Sequence, residues 1–129
     1  MNKYVTDTQA LIRHLTGSKV FNKTVQQIFE AADKGEHIII IPSVALFEIG
    51  YLHEKGRIPI SLSDMQAILE DCINYIEARL SIDVIRSAFE IKDVPELHDR
   101  LIAGTARYLK LPLITNDPVI LQSQYVDTV

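Results

Sequence analysis

The sequence predicts an α/β domain whose sheet is mostly parallel and contains four or five short strands. Short aliphatic runs, such as residues 38–41, alternate with segments whose apolar residues recur at helical spacing. This alternation is typical of parallel sheets covered by helices. Acidic residues follow the first and last of these runs, at Asp7 and Asp117. Because ligands of such sheets bind beyond the carboxyl ends of the strands, we expect a functional site at that edge.

Length and composition indicate one ordinary globular domain, residues 1–129. The 129 residues are 47% hydrophobic and 23% charged, which is usual for a chain that buries its own core. The single cysteine, Cys72, rules out a disulfide framework and is expected in the core as a small hydrophobic residue. The N-terminus lacks the apolar region of a signal peptide, and no aliphatic run is long enough to span a bilayer. We therefore expect a cytoplasmic protein that does not contact membranes.

The first third of the chain predicts a strand followed by two helices. Residues 4 and 5 begin a buried strand that breaks at Asp7, a preferred N-cap residue. The next helix has apolar residues at helical spacing and ends at Gly17, and a second helix extends from about residue 22 to 34 and ends at Gly35. Helix capping alone is thus enough to explain Asp7.

The middle of the chain contains the residue that folding alone explains least well. After the strand at residues 37–41, Ser43 is a suitable N-cap for a helix that ends at Gly56. Glu48 falls near the centre of the apolar arc of this helix, which consists of Val44, Ala45, Phe47, Ile49, Tyr51 and Leu52. A buried carboxylate costs several kcal/mol unless it is paired or binds a metal. Glu48 therefore needs a basic partner, a water-accessible rim position or a functional role.

The second half of the chain predicts helices and strands that lead to Asp117. The predicted elements are a helix at residues 62–72, a strand within 75–82, a helix at 83–89, a helix from Pro95 to a corner at Leu111 and Pro112, a strand at 113–115, a helical turn at 118–121 and an edge strand at 124–129. Pro95 suits the first turn of its helix. Asp99 lies at the margin of the apolar stripe of that helix, which consists of Leu97, Leu101, Gly104 and Tyr108.

Four acidic side chains are expected to meet at the carboxyl edge of the sheet. Asp7 and Asp117 follow strands, while Glu48 and Asp99 lie on helices that begin at that edge. Capping and the helix dipole explain each Asp singly, but neither explains their common location. Carboxylates gathered in one place repel one another unless hard cations neutralise them, and oxygen ligands suit Mg²⁺ or Mn²⁺. The sequence therefore predicts a metal site.

The net charge of −4 is unusual for a protein that binds nucleic acid, since such proteins usually present a basic surface. If four of the 17 acidic residues form one metal site, the remaining 13 equal the 13 Lys and Arg residues. Bound cations would offset the site itself. The charge therefore argues only weakly against a nucleic-acid substrate.

Four segments give the chain a resemblance to the PIN-domain family and, within it, to the VapC-like ribonuclease toxins of toxin–antitoxin pairs. These segments are Asp7-Thr8 after the first strand, Pro42-Ser43 leading to Glu48, the run H-D-R-L-I-A at residues 98–103, and the run L-I-T-N-D at residues 113–117. None is specific alone, but their order and spacing cover nearly the whole chain.

The resemblance implies a three-layer α/β/α fold and an RNA phosphodiester as substrate. It assigns Asp7, Glu48, Asp99 and Asp117 to an acidic quartet that holds Mg²⁺ or Mn²⁺. Around the quartet it implies supporting roles for Thr8, Thr115 and Asn116, and it leaves the role of Glu96 open, because many relatives have Asp there. It also implies a small antitoxin partner and a homodimer. Candidate phosphate contacts are Arg13, Lys19, Arg57, Arg100 and Arg107.

Other phosphate-transfer folds fit the sequence less well. A response-regulator receiver needs an acidic pair after its first strand, and a haloacid-dehalogenase-like phosphatase needs Asp-x-Asp there, but Thr8 and Gln9 follow Asp7. The pair His53-Glu54 lacks the second histidine of a zinc-protease helix. A PIN-like interaction module without activity stays open as an alternative to the enzyme.

Overall fold

The computed structural model describes residues 1–18 and 22–129, so Lys19 lies outside the described residues. Its sheet contains the strands β1 Asn2–Thr6, β2 His37–Pro42, β3 Tyr75–Ala78 and β4 Leu113–Ile114. The helices are α1 Thr8–Leu15, α2 Lys23–Asp33, α3 Ser43–Glu54, α4 Leu62–Asp71, α5 Ile82–Glu90, α6 Leu97–Leu109 and α7 Pro118–Leu121. None of the helices in these ranges is long and apolar enough to cross a membrane.

The four strands are parallel and follow the order β3-β2-β1-β4, which confirms the predicted sheet. β1 pairs with β2 on one side and with β4 on the other, so that Val5 lies between Ile40 and Leu113. The chain therefore builds outward from β1 in one direction and later returns to its free edge. Such a reversal of strand order opens a crevice at the carboxyl ends of the two strands concerned.

Helices cover both faces of the sheet, which confirms the predicted α/β/α layering. Ile39 and Ile41 belong to one core cluster, together with residues of α1 to α4. Val5, Ile40 and Leu113 belong to a second cluster, together with residues of α6 and α7. Successive strand residues point to opposite faces, so the continuous run of isoleucines in β2 supplies both cores.

Two predicted helix starts are wrong. Ser43 is not the N-cap of α3, because Pro42 occupies that position and the Ser43 hydroxyl donates to Glu77 Oε2 at 3.0 Å and to the Ala78 carbonyl at 3.1 Å. Pro95 does not lie in the first turn of α6, because Glu96 is the N-cap and accepts a hydrogen bond from the Asp99 amide at 2.7 Å. A side-chain capping bond thus fixes the start of α6, whereas α3 begins without one and Ser43 bonds to β3 instead.

The apolar face of α6 differs from the predicted stripe. Leu97 and Tyr108 are exposed, while Gly104 is buried with its neighbours Ile102 to Ala106. A Cβ atom added at Gly104 would lie 2.7 Å from the Ala88 Cβ atom. Close packing of α6 on α5 therefore sets the rotation of the helix, and it turns Leu97 and Tyr108 outward.

Two further predictions concern single segments and are also wrong. Cys72 is exposed at the C-cap of α4, since the helix ends at Asp71 and its core-facing contact is made by Met65 instead. Residues 124–129 do not form a strand, and their pairing with the sheet is limited to one parallel bridge, between Leu113 and Thr128. The partner strand β4 is only two residues long and leaves little edge to pair with.

Candidate functional site

An open cleft of about 280 Å³ lies at the carboxyl ends of β1 and β4. It is lined by Asp7, Thr8, Gln9, Arg13, Glu48, Asp99, Ile102, Asn116 and Asp117. The structure thus places the four predicted acids, which are up to 110 positions apart in the sequence, around one space. The strand reversal beside β1 supplies the crevice, and the helices α3 and α6 bring the other two acids to it.

Asp7 is held by the start of α1. Its side chain is only 9% exposed, and its Oδ1 atom accepts a hydrogen bond from the Ala10 amide at 2.8 Å. Burial raises the pKa of Asp7, while the Thr115 hydroxyl, the Ala10 amide and the charge of Arg13 oppose this shift. The capping role predicted for Asp7 is confirmed, and the same residue borders the cleft.

Glu48 lies at the side of the cleft and not at the centre of a buried face. It is half-buried, and its neighbours Phe47 and Tyr51 are exposed, so the predicted apolar arc of α3 is wider than the face that the fold buries. The Thr8 hydroxyl donates a hydrogen bond of 2.6 Å to Glu48 Oε1. No salt bridge involves Glu48 in the described ranges. Glu48 is therefore paired with a hydroxyl and not with a basic side chain. Its half-buried position agrees with the predicted alternative of a water-accessible rim.

The pKa of Asp99, in the first turn of α6, is affected by the other acids of the cleft. This pKa is raised to about 6, first by burial and then by the charges of Glu96, Asp117, Glu48 and Asp7. The acids are thus close enough to interact electrostatically across the cleft. A bound cation would relieve this repulsion.

Asp117 ends the turn after β4 and caps α7. Its Oδ1 atom accepts hydrogen bonds from the amides of Val119 at 2.8 Å and Ile120 at 3.3 Å. The Thr115 hydroxyl accepts a bond of 3.1 Å from the Asp117 amide, and it also stabilises the Asp7 carboxylate. Thr115 therefore connects the acids of the two strand ends.

Glu96 and Asn116 differ in their relation to the cleft. Asn116 is exposed and lines it. Glu96 does not line it, because its carboxylate caps α6 and lies 3.1 Å from His98 Nδ1. The Asp99 amide and His98 lower the pKa of Glu96. Glu96 thus fixes the start of the helix that carries Asp99.

Of the predicted arginines, the structure brings Arg13 alone to the cleft. Arg57 is exposed elsewhere. Arg100 donates from Nε to the Ala88 carbonyl at 2.9 Å, and Arg107 donates from a terminal nitrogen to the Tyr125 carbonyl at 3.0 Å. These two side chains hold neighbouring segments together. Gln9 also lines the cleft and was not predicted, although its spacing of four residues from Arg13 on α1 places the two on one helix face.

The donor set fits a hydrated hard cation. In the part of the chain that the structure describes, no three Asp, Glu, His or Cys side chains come close enough together to enclose a metal ion. Mg²⁺ does not need such a cage, since it usually keeps several waters and binds one or two carboxylates. A cleft lined by four carboxylates and no thiol or imidazole suits Mg²⁺ or Mn²⁺ and does not resemble a closed zinc site.

Comparison with known proteins gives one family and several structural neighbours. The sequence profile of the PIN domain matches residues 4–123. The VapBC2 complex from Rickettsia felis, bound to a DNA fragment from its promoter, includes a chain with 15% identity and a TM-score of 0.72, and the alignment covers 98% of this chain and 97% of that chain. The DNA-bound VapBC complex from Salmonella typhimurium gives 16% identity, a TM-score of 0.70 and coverages of 100% and 98%.

A toxin–antitoxin complex from Klebsiella pneumoniae gives 18% identity, a TM-score of 0.64 and coverages of 98% and 95%. No curated protein sequence matches the chain. At these identities the structural likeness establishes a shared fold over nearly the whole length of both chains.

Proposed function

The chain belongs to the PIN-domain family, and on that premise we propose that it is a Mg²⁺- or Mn²⁺-dependent endoribonuclease, the toxin of a toxin–antitoxin pair. The observation that carries the proposal is that Asp7, Glu48, Asp99 and Asp117 line one cleft at the strand reversal. The raised pKa of Asp99 supports it, because the charges of Asp117, Glu48 and Asp7 add to the effect of burial and a cation would relieve their repulsion.

Each acid has a distinct task in this proposal. Asp7 and Asp99 would be the principal metal ligands, and Asp117 would complete the second side of the site. Glu48, held by the Thr8 hydroxyl, orients water or completes the ligand shell. When bound, a divalent cation lowers the pKa of water and neutralises charge on the departing oxygen of a phosphodiester. Family resemblance favours products that carry a 5′-phosphate and a 3′-hydroxyl.

The proposed partners are RNA, a small antitoxin and a second copy of the chain, in the cytoplasm. Support for the antitoxin comes from the matched structures, which are VapBC and other toxin–antitoxin complexes. The surface of α3 and α4 offers apolar side chains for such contacts, since Phe47, Tyr51 and Leu62 are exposed.

Cleavage of single-stranded RNA by the purified chain tests the function. We expect cleavage that requires Mg²⁺ or Mn²⁺ and that falls about 100-fold or more in Asp7→Asn and Asp99→Asn, because each change removes a proposed ligand charge. Asn is as good an N-cap as Asp, so Asp7→Asn keeps the start of α1. Asp127→Asn, at an exposed position outside the cleft, is the matched control and keeps native activity.

Activity that persists in both variants, or that needs no metal, would contradict the proposal. Any co-purifying small protein must be removed before the assay, since an antitoxin would mask the activity. A chain that binds such a protein but cleaves no RNA after its removal is an interaction module and not an enzyme.

A further inference from the structure

We infer that Arg13 binds the RNA phosphate next to the one that is cleaved, on the side of the cleft formed by α1 and the turn after β4. The inference rests on the proposed function and extends it to the path of the substrate. Arg13 acts here as a substrate-binding residue that determines where the RNA backbone lies.

Arg13 is the basic residue that lines the cleft within residues 1–18 and 22–129. The other residues of the lining are four acids and neutral side chains. The acids of such a cleft repel the negative phosphates of RNA. Cations bound at the acids would offset this repulsion for the phosphate that is cleaved but not for the phosphates on either side of it. A fixed positive charge beside the acids is therefore needed for the neighbouring phosphate.

The guanidinium of Arg13 is available for a ligand. In the described part of the chain it forms no salt bridge with a carboxylate, whereas Arg107 contacts Glu90 and the guanidinium of Arg100 contacts backbone carbonyls. Its side chain does reach the site, because Arg13 and Asp7 line the same cleft. A planar guanidinium that makes no salt bridge among the described residues can bind two phosphate oxygens at once.

Beyond Arg13 the surface is mixed, because the polar Asn22 and Thr115 lie there beside the apolar Ala10, Val25 and Ile114. Arg13 and Asn116 border both the cleft and a second, much smaller cavity of about 20 Å³, which Asn22 and Thr115 also line. This cavity holds about one water and is too small for a nucleobase. No base therefore enters this cavity, and the contact that we infer on this side of the cleft is one between Arg13 and the RNA backbone.

Binding of a mixed-sequence single-stranded RNA, measured by fluorescence anisotropy with Ca²⁺ in place of Mg²⁺, tests the inference. We expect Arg13→Gln to raise Kd about tenfold or more, as the loss of a charge-assisted hydrogen bond implies, and Arg13→Lys to lie between it and the native chain. The slope of log K against log salt concentration should become shallower by about 0.7, the value for one lost phosphate contact on a single strand. A purely structural role would leave this slope unchanged.

Arg86→Gln is the matched control, because Arg86 is an exposed arginine on α5 that does not line the cleft. It should keep the native Kd and salt slope. Neutral methylphosphonate linkages, placed one at a time along the RNA, then locate the contact. We expect one position beside the cleavage site to weaken binding by the native chain and to have no further effect on Arg13→Gln.

The outcomes separate this inference from the nuclease assignment. If the native chain cleaves RNA and Arg13→Gln behaves like Arg86→Gln in Kd and salt slope, the inference fails and the function stands. If the native chain binds RNA without cleaving it and Arg13→Gln loses that binding, the nuclease assignment fails, and the contact between Arg13 and the RNA backbone stands without a cleaved phosphate beside it. If the native chain binds no RNA, both are wrong.

Discussion

The hydrogen bond from Thr8 to Glu48 is the most specific interaction at the candidate site. At 2.6 Å it joins the first turn of α1 to α3 and fixes one carboxylate oxygen of a half-buried glutamate. Bonds to a charged acceptor are short and strong, and residues that orient ligands typically contribute 10- to 100-fold to metal affinity or activity. Thr8 is thus a positioning residue for Glu48.

Thr8→Val, which keeps the shape and removes the hydroxyl, should lower kcat about 10- to 100-fold with a smaller change in KM. Thr8→Ser keeps the hydroxyl and should restore most of the activity. Both rates are measured on the same RNA, with thermal melts to show that the variants are folded. Equal activity of the two variants would show that the hydroxyl does not position Glu48.

The raised pKa of Asp99 predicts that, in the absence of metal, the stability of the fold decreases as the pH rises. Its folded pKa of about 6 lies above the unfolded value of about 3.9, so the folded chain binds the proton more tightly. The free energy of unfolding contributed by this group is therefore greatest below about pH 4 and is lost as the pH rises through 6.

In EDTA, Asp99→Asn should be more stable than the native chain by about 1 kcal/mol at pH 7, a value reduced for solvent screening of a partly exposed group. The advantage should disappear near pH 4, where the native carboxyl is also neutral. Urea unfolding at both pH values measures it, with Asp127→Asn as the control. A stability difference that is the same at pH 4 and pH 7 would show that Asp99 does not carry this electrostatic cost.

Residue-scale features were predictable where they depend on neighbours in sequence. Asp7 and Asp117 cap the helices that follow them, as predicted, because an N-cap side chain reaches an amide only two or three residues away. The surroundings of Glu48 were not predictable, since they depend on Thr8, which is 40 residues away. The sequence pattern could only show that Glu48 needed a partner.

At the scale of elements, the contact between α5 and α6 sets the orientation of the helix that carries Asp99. A Cβ atom on Gly104 would lie 2.7 Å from the Ala88 Cβ atom and 2.8 Å from its Cα atom, which is closer than packed atoms approach. A backbone atom cannot move aside as a flexible side chain can. Gly104 thus lets α6 lie directly on α5, and this packing sets the rotation of the helix that carries Asp99.

Gly104→Ala should destabilise the fold by about 1 to 3 kcal/mol, because overpacking outweighs the gain of about 1 kcal/mol from helix propensity. Gly50→Ala is the matched control in α3, where the added Cβ atom would lie 3.7 Å from the Leu62 Cβ atom in ordinary contact. It should be neutral or stabilising. The measurement is urea unfolding of both variants, and equal effects of the two changes would contradict the packing account.

The start of α6 shows why element boundaries were harder to predict than element types. Pro95 is a common first helical residue, yet Glu96 takes the N-cap position and bonds to the Asp99 amide. A helix that begins with Pro95 and a helix capped by Glu96 both satisfy local preferences, and the sequence does not show which of the two forms. The face of α6 was wrong for a similar reason, since it depends on Ala88 in another helix.

At the scale of the whole molecule, the strand order explains why acids so distant in sequence share one cleft. β1 lies between β2 and β4, and the reversal beside it leaves the ends of β1 and β4 uncovered. Alternation of strands and helices was enough to predict a parallel sheet and the edge at which the four acids meet. The order of the strands was not predicted, because β4 pairs with β1, as at Val5 and Leu113, and no local pattern specifies a partner 108 positions away.

The central claim is that these carboxylates form a cation site. Titration of the chain with Mn²⁺, in which electron paramagnetic resonance reports the free ion, tests it without RNA or a partner. We expect the native chain and Asp127→Asn to bind at least one Mn²⁺ that the double variant Asp7→Asn/Asp99→Asn does not bind. Equal Mn²⁺ binding by the native chain and the double variant would contradict the claim.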